Sequence, residues 1–325
     1  MTENLAQSID QLLAGGCSEE ALRLAKAKAA QGNPDALMLL ATWQLAGHLL
    51  PRDRVAAGRW LRAAAQAGHV EAAMMEVALT ANGGLDKEAD WPAALALLQS
   101  AARSGPLARA HLDLVDRMHI THTGLPLEPA ERHRLTNDLD AYLLPGFCSA
   151  EECRHLAEAA IPVLEPALIT DPLTGKVREH PVRTSHAAFL GPTRESLPAR
   201  AINLRIAAAS GTLVTQGEPL VVLHYAPGQQ YRPHMDTLPA VTNQRIWTML
   251  VYLNEGYRAG ETQFPAIGLS IKGKLGDALL FRNTLSDGQP NPISRHAGLP
   301  VVEGRKWIAT RWIREHPMSP WERGT

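Results

Sequence analysis

Three cysteines in 325 residues, Cys17, Cys148 and Cys153, are too few and too scattered for a disulfide framework. Cys148 and Cys153 fall within reach of each other on a short helix, and buried free thiols are the expected state. No apolar run approaches the roughly 20 residues that span a bilayer, so no membrane partner is expected. Charge of one sign is missing too: 32 Lys and Arg stand against 33 Asp and Glu, and no long basic run occurs. That excludes the electrostatic footprint of nucleic-acid binding. The opening MTENLAQSID carries acids where a secretion signal would carry Lys or Arg before an apolar stretch. A reducing, cytoplasmic setting is the expectation.

What is present begins with a repeat. Ala29-Ala30-Gln31-Gly32-Asn33-Pro34-Asp35-Ala36, Ala64-Ala65-Gln66-Ala67-Gly68-His69-Val70-Glu71-Ala72 and Ala101-Ala102-Arg103-Ser104-Gly105-Pro106-Leu107-Ala108 align with one another. Their glycines at 32, 68 and 105 lie 36 and then 37 residues apart, a period typical of stacked helix pairs. Each Gly is expected to close a helix in the left-handed conformation, with the next helix starting at once. Small Ala positions let helices approach closely, and Trp43, Trp60 and Leu61 fill the space between pairs. Residues 1–31 read as helical and cap the array. The Gly-x-x-x-Ala helix starts and the Asp53…Trp60-Leu61-x-x-Ala-Ala segment resemble the Sel1-like branch of the tetratricopeptide superfamily. That resemblance implies a surface that binds a peptide or protein.

Periodicity fades from about 118 to 137, where His119-Ile120-Thr121-His122 reads as a solvated loop. Ser149 with Glu152 forms a capping box ahead of a helix from Cys153 to Ala160. A charged, proline-broken segment follows, then Arg183-Thr184-Ser185 and a helix near 199–208. Beyond these the chain is short strands and turns: Leu220–Tyr225, Trp247–Leu253, Leu269–Ile271, Asp277–Phe281 and Lys306–Ile313. The fold class is α+β, an all-α repeat array over 1–117, a linker over 118–139, a jelly roll over 140–315 and a tail over 316–325.

The stretch Leu220 to Asp236, LVVLHYAPGQQYRPHMD, organises the chemistry. In an extended chain residues i and i+2 share a side, so His234 and Asp236 aim an imidazole and a carboxylate at one point. Those two make most of a facial Fe(II) site that needs one more His, and His296 is the candidate. His111 and Asp113 share the spacing but sit in a helical stretch, where such residues diverge by roughly 200°. That pair is expected on an ordinary helix surface, and His69 with Glu71 fails in the same way. His224 alternates away from Tyr225 and is expected on the opposite side of the sheet.

Several ordered segments resemble the prolyl 4-hydroxylase group of 2-oxoglutarate- and Fe(II)-dependent oxygenases over roughly 140–315. They are Pro145-Gly146-Phe147, Arg183-Thr184-Ser185, Tyr225-x-x-Gly228-Gln229-x-Tyr231-x-x-His234-x-Asp236, Gly260-Glu261-Thr262-x-Phe264-Pro265, Gly276-Asp277-Ala278-Leu279-x-Phe281, and His296-x-Gly298-x-Pro300-Val301-x-x-Gly304-x-Lys306-Trp307 leading to Trp312. The resemblance implies a double-stranded β-helix with Fe(II) on His234, Asp236 and His296. It further implies 2-oxoglutarate gripped by Lys306 and contacted by Tyr225, Thr262 and Trp312, dioxygen as cosubstrate and ascorbate as reductant. Tyr231 and Arg183 are the candidate substrate contacts, and Arg232, Arg258 and Arg282 are expected to shape the entrance. The implied reaction is oxidative decarboxylation coupled to hydroxylation of a prolyl residue in a peptide or protein recruited by the repeats. A free amino acid or small metabolite is the alternative substrate; a non-enzymatic adaptor would be expected to have lost a ligand or the Lys.

Overall fold

The computed structural model describes residues 5–170, 177–179 and 182–321. The ends of the expected N-terminal helical stretch and C-terminal tail, and part of the proline-broken segment, lie outside the described residues. The chain divides into two compact units, Met1–Met118 with Pro192–Arg200, and His119–Gly191 with Ala201–Thr325.

The first unit carries seven helices among its described residues: α1 (Leu5–Ala14), α2 (Ser18–Ala30), α3 (Pro34–Ala46), α4 (Arg54–Gln66), α5 (Val70–Asn82), α6 (Trp91–Ala101) and α7 (Pro106–Arg117). α3, α5 and α7 start at 34, 70 and 106, two equal steps of 36 residues. Asn33, Asp53, His69 and Asp90 each cap a helix by accepting a backbone N–H three residues on. Ala36, Ala72 and Ala108 are buried, so a methyl is all that separates the helices there. Trp43 is buried, and half-buried Trp60 donates its indole N–H to Gln44 at 3.1 Å.

The third glycine departs from expectation. Gly32 and Gly68 are left-handed, at φ 76° and 93°, whereas Gly105 is the extended N-cap of α7 at φ −103°. The third repeat is aligned on its helix starts, and its sequence is one residue out of step with its glycine. His111 is half-buried rather than on the surface, and burial pulls its imidazole down to about 4. Within the same unit Asn82 donates its amide to Pro192 O at 2.8 Å and to the Glu195 carboxylate at 3.1 Å. The stretch 192–200 therefore groups with the helices.

The second unit holds sixteen strands among the described residues. The first eight are β1 (His133–Arg134), β2 (Ala141–Leu144), β3 (Glu165–Pro166), β4 (Leu168–Thr170), β5 (Val177–Glu179), β6 (His186–Leu190), β7 (Leu220–Tyr225) and β8 (Tyr231–His234). The rest are β9 (Arg245–Tyr252), β10 (Arg258–Ala259), β11 (Thr262–Phe264), β12 (Leu269–Ile271), β13 (Ala278–Arg282), β14 (His296–Gly298), β15 (Val301–Glu303) and β16 (Lys306–Arg314). The large sheet runs β1-β2-β13-β9-β16-β7-β6-β3 and the small one β12-β11-β14-β8, every pairing antiparallel. This is the jelly roll anticipated from the sequence. β1 falls inside the stretch read as a linker: His133 and Arg134 pair with β2 and extend the large sheet.

Alternation places Leu223 and Tyr225 on the inner face of β7 and His224 on the outer, against Trp307 at 4.5 Å between ring centroids. Inside, Tyr252, Phe264 and Phe281 are fully buried, with the two phenylalanine rings edge to face at 5.1 Å. Cys148 and Cys153 are buried free thiols, whereas Cys17 is exposed. Among the described residues no helix is long and apolar enough to cross a membrane.

Helix α8 (Ala150–Ala160) begins with the anticipated capping box: Ser149 Oγ accepts from Glu152 N at 3.1 Å and Glu152 accepts from Ser149 N at 2.9 Å. The same carboxylate takes a two-pronged grip from Arg205 of α9 (Leu197–Ser210), both contacts at 2.7 Å. Ser149→Ala should lower stability by about 1 kcal/mol, read as a fall in the thermal midpoint.

Candidate metal centre

Residues from both sheets line one cavity: His234 and His296 from the small sheet, Tyr225, Lys306 and Trp312 from the large, and Asp236 just past β8. The register explains the meeting. β14 pairs antiparallel with β8 so that His296 sits directly opposite His234. One ligand atom from each of His234, Asp236 and His296 lies within 4.8 Å of the others. His234 Nε2 stands 3.6 Å from Asp236 Oδ1, and His296 Nε2 stands 3.8 Å from Asp236 Oδ2.

The rings are turned for this. His234 Nδ1 lies 2.9 Å from Arg232 O, and His296 Nδ1 lies 3.0 Å from Ser294 O. A carbonyl only accepts, so both Nδ1 atoms carry protons and both Nε2 lone pairs face the centre. Burial pulls His296 down to about 4, with His234 adding to the effect and Asp236 opposing it. Burial pushes the Asp236 carboxyl upward, but His296, His234 and the Thr248 hydroxyl outweigh it and hold it well below the usual carboxylate range. Two imidazole nitrogens and one carboxylate held anionic converge, a donor set that fits Fe(II) with one face left open.

Lys306 occupies the far wall. It is 2% exposed and its ammonium donates to Gly260 O at 2.7 Å, with no carboxylate at ion-pair distance among the described residues. Burial pulls it down to about 8; Glu261 acts upward and Lys272 downward. A buried cation without a counter-charge is costly, and a diacid reaching it from the metal side would supply one. Gly260 is left-handed at φ 76°, and a Cβ there would press within 3.1 Å of Val301 and 3.4 Å of the Lys306 stem. Thr262 is buried beside it, and its hydroxyl meets Tyr252 OH at 3.3 Å. Tyr225 sits opposite Lys306 across β7 and β16, its ring 5.6 Å from the ammonium.

At the mouth Tyr231 stacks on His234 at 3.4 Å between centroids, and the Arg183 guanidinium lies 5.0 Å above the Tyr231 ring. Burial raises the Tyr231 phenol to about 12, so it stays protonated. Arg183 Nη2 and Trp312 Nε1 are buried donors with no hydrogen-bond partner among the described residues. Every site residue anticipated from the sequence lines this cavity. The three entrance arginines do not. Arg258 pairs with Glu303, Arg282 donates to Thr284 O beside Trp247, and Arg232 is exposed.

Other parts of the site escaped sequence reading. Arg245 lies 4.1 Å over the Trp312 ring and reaches Asp236 O at 3.4 Å, held in place by the Glu218 carboxylate at 2.6 and 2.7 Å. Thr248 donates to Asp236 Oδ2 at 2.6 Å and accepts from Asn283 at 2.8 Å. Thr248 did leave a signal: in the apolar strand 247–253 it shares a face with Leu250 and Tyr252.

A jelly roll with two histidines and a carboxylate at one end of its cavity, and a lone buried ammonium at the other, defines an Fe(II)- and 2-oxoglutarate-dependent oxygenase. The profile of the 2OG-Fe(II) oxygenase superfamily matches residues 220–314. Probable prolyl 4-hydroxylase 10 of Arabidopsis thaliana is 39% identical over 195 residues, 53% of this chain and 67% of that protein. Prolyl 4-hydroxylase 1 of the same plant is 39% identical over 196 residues, 54% of this chain and 69% of that one. The chain belongs to the prolyl 4-hydroxylase family of these oxygenases. Among solved structures, a viral collagen prolyl hydroxylase from Paramecium Bursaria Chlorella virus-1 in complex with 2-oxoglutarate is 29% identical. It covers 54% of this chain and 95% of its own, with a TM-score of 0.43.

Proposed function

We propose that this chain hydroxylates a prolyl residue of a peptide or protein, holding Fe(II) on His234, Asp236 and His296 and 2-oxoglutarate on Lys306, Thr262 and Tyr225. The observation that carries this reading is the pairing, in one cavity, of three converging donors with an ammonium that has no ion-pair partner among the described residues. Bound iron supplies the redox chemistry that couples decarboxylation of 2-oxoglutarate by O2 to hydroxylation of an unactivated C–H bond.

The chain's own part is positioning and exclusion. Asp236 offsets one charge of the cation, and the two imidazoles fix one face of it. Lys306 holds the distal carboxylate, and the hydroxyls of Thr262 and Tyr225 orient the cosubstrate around it. Leu250, Ile308 and Trp312 keep water from the reacting atoms. Tyr231 and Arg183 face the open side, where an apolar ring and a carbonyl acceptor of a prolyl peptide find complementary groups. The helical unit serves to hold the protein that bears the target, a role its regular 36-residue spacing suits.

Incubating the purified chain with Fe(II), 2-oxoglutarate and proline-rich peptides should yield succinate and hydroxyproline together, seen as a 16 Da gain by mass spectrometry. His234→Ala should yield neither. Succinate without any hydroxyproline, on peptides or on captured proteins, would move the substrate to another class.

A further inference from the structure

Asp236 is anchored by a chain of buried polar groups that takes no part in ligation. Thr248 and Asn283 are both fully buried, on β9 and just past β13. Asn283 Nδ2 lies 2.8 Å from Thr248 Oγ1, which lies 2.6 Å from Asp236 Oδ2. The direction of both bonds is fixed by counting protons. A threonine hydroxyl has one, and an anionic carboxylate can only accept, so that proton goes to Asp236. The Thr248 oxygen then needs a donor, which the Asn283 amide nitrogen supplies. Turning the amide over would set two oxygens against a single proton.

Asn283 is tied to the other ligand too. Its backbone carbonyl accepts from Asn291 N at 2.9 Å, and Asn291 O in turn accepts from Ser294 Oγ at 2.7 Å. Ser294 O is the acceptor that holds His296 Nδ1 at 3.0 Å. One fully buried side chain and its backbone thus reach toward Asp236 on one side and His296 on the other. These two ligands are 60 residues apart in sequence and lie on no common strand. A buried polar group costs free energy unless its partners are in place; the Thr248 hydroxyl has both of its partners, while Asn283 Oδ1 has none among the described residues.

We infer that Thr248 and Asn283 are positioning residues of the metal centre: Thr248 occupies Oδ2 of Asp236 so that Oδ1 is presented to the cation, and Asn283 sets Thr248 and the His296 turn together. The inference rests on the metal ligands proposed above. Removing the Thr248 hydroxyl leaves the carboxylate free to rotate, or to face the cation through both oxygens. Rotation away from the cation lowers affinity, and either outcome alters the ligand field without touching a ligand.

Equilibrium binding of Co(II) to the metal-free full chain tests this apart from turnover, with the visible absorption of bound Co(II) reporting coordination. Thr248→Val keeps the shape and loses the proton; it should weaken Co(II) by about 10- to 100-fold, the range for groups that orient metal ligands, and shift the spectrum. Thr248→Ser should restore both. Asn283→Leu breaks the same link from the residue after β13 and is read identically should Thr248→Val fail to fold. Folded variants that bind Co(II) with unaltered affinity and spectrum would overturn the inference while leaving the metal centre standing. No Co(II) binding by the unaltered chain, or binding unaffected by Asp236→Ala, would overturn the metal centre itself and the inference with it.

Discussion

Asp236→Ala should reduce binding of a divalent cation at this centre to background and abolish succinate formation. The carboxylate is the only anion among the three donors, and it sits 4% exposed between two imidazoles that both offer lone pairs. Without it a dipositive ion in a buried site would keep its whole charge against neutral nitrogens, which a low-dielectric interior penalises heavily. Isothermal titration with Mn(II) or Co(II), on a variant whose circular dichroism matches the parent, measures the first effect. Quantifying succinate measures the second. A variant that keeps micromolar affinity would show that the cation is held elsewhere.

Lys306→Met should raise the KM for 2-oxoglutarate by about two to three and a half powers of ten, since breaking a buried charge pair costs about 3–5 kcal/mol. The same change should make the ligand-free protein more stable, because it removes an ammonium that is 2% exposed and has no carboxylate at ion-pair distance among the described residues. Few substitutions are expected to act in opposite directions on the two states. Thermal midpoints with and without 2-oxoglutarate separate them: the unliganded midpoint rises and the ligand-induced gain vanishes.

The pH dependence has a definite sign. Lys306 falls from 10.5 to about 8 in the folded, unliganded protein, so above about pH 8 it loses the proton that grips a carboxylate. kcat/KM for 2-oxoglutarate should therefore decline as pH rises through about 8. Stability of the unliganded protein should move the other way. Between about pH 8 and 10.5 the unfolded chain holds this proton and the folded chain does not, so this residue's penalty shrinks as pH rises through that window.

The strands that carry the site were legible because their residues left little choice. Leu220–Tyr225 is apolar, β-branched and aromatic, and the turn at Pro227-Gly228 closes it where β7 ends. The spacing of His234 and Asp236 sufficed once the stretch was read as extended, and a helical reading removed His111 and Asp113 for the same reason. What remained hidden depends on register. Asn283 reaches Thr248, 35 residues away, because β13 pairs with β9. Glu218 grips Arg245, 27 residues on, only because the strands fold back on themselves. Composition also hid β1, whose His133 and Arg134 are exposed polar residues paired with β2, where Arg134 also reaches Asp140 and Tyr142. Gly105 misled because glycine most often closes a helix in a left-handed turn but is also tolerated as an extended N-cap, its place here.

The two ends of the cavity belong to different layers, with His234 and His296 on the small sheet and Lys306 on the large. Phe264 from one layer and Phe281 from the other meet edge to face at 5.1 Å, and both rings press on His296, at 5.6 and 4.7 Å. The pair thus braces the ring of one candidate ligand from both layers at once, so shortening either phenylalanine should be felt at His296 even though neither side chain lines the cavity.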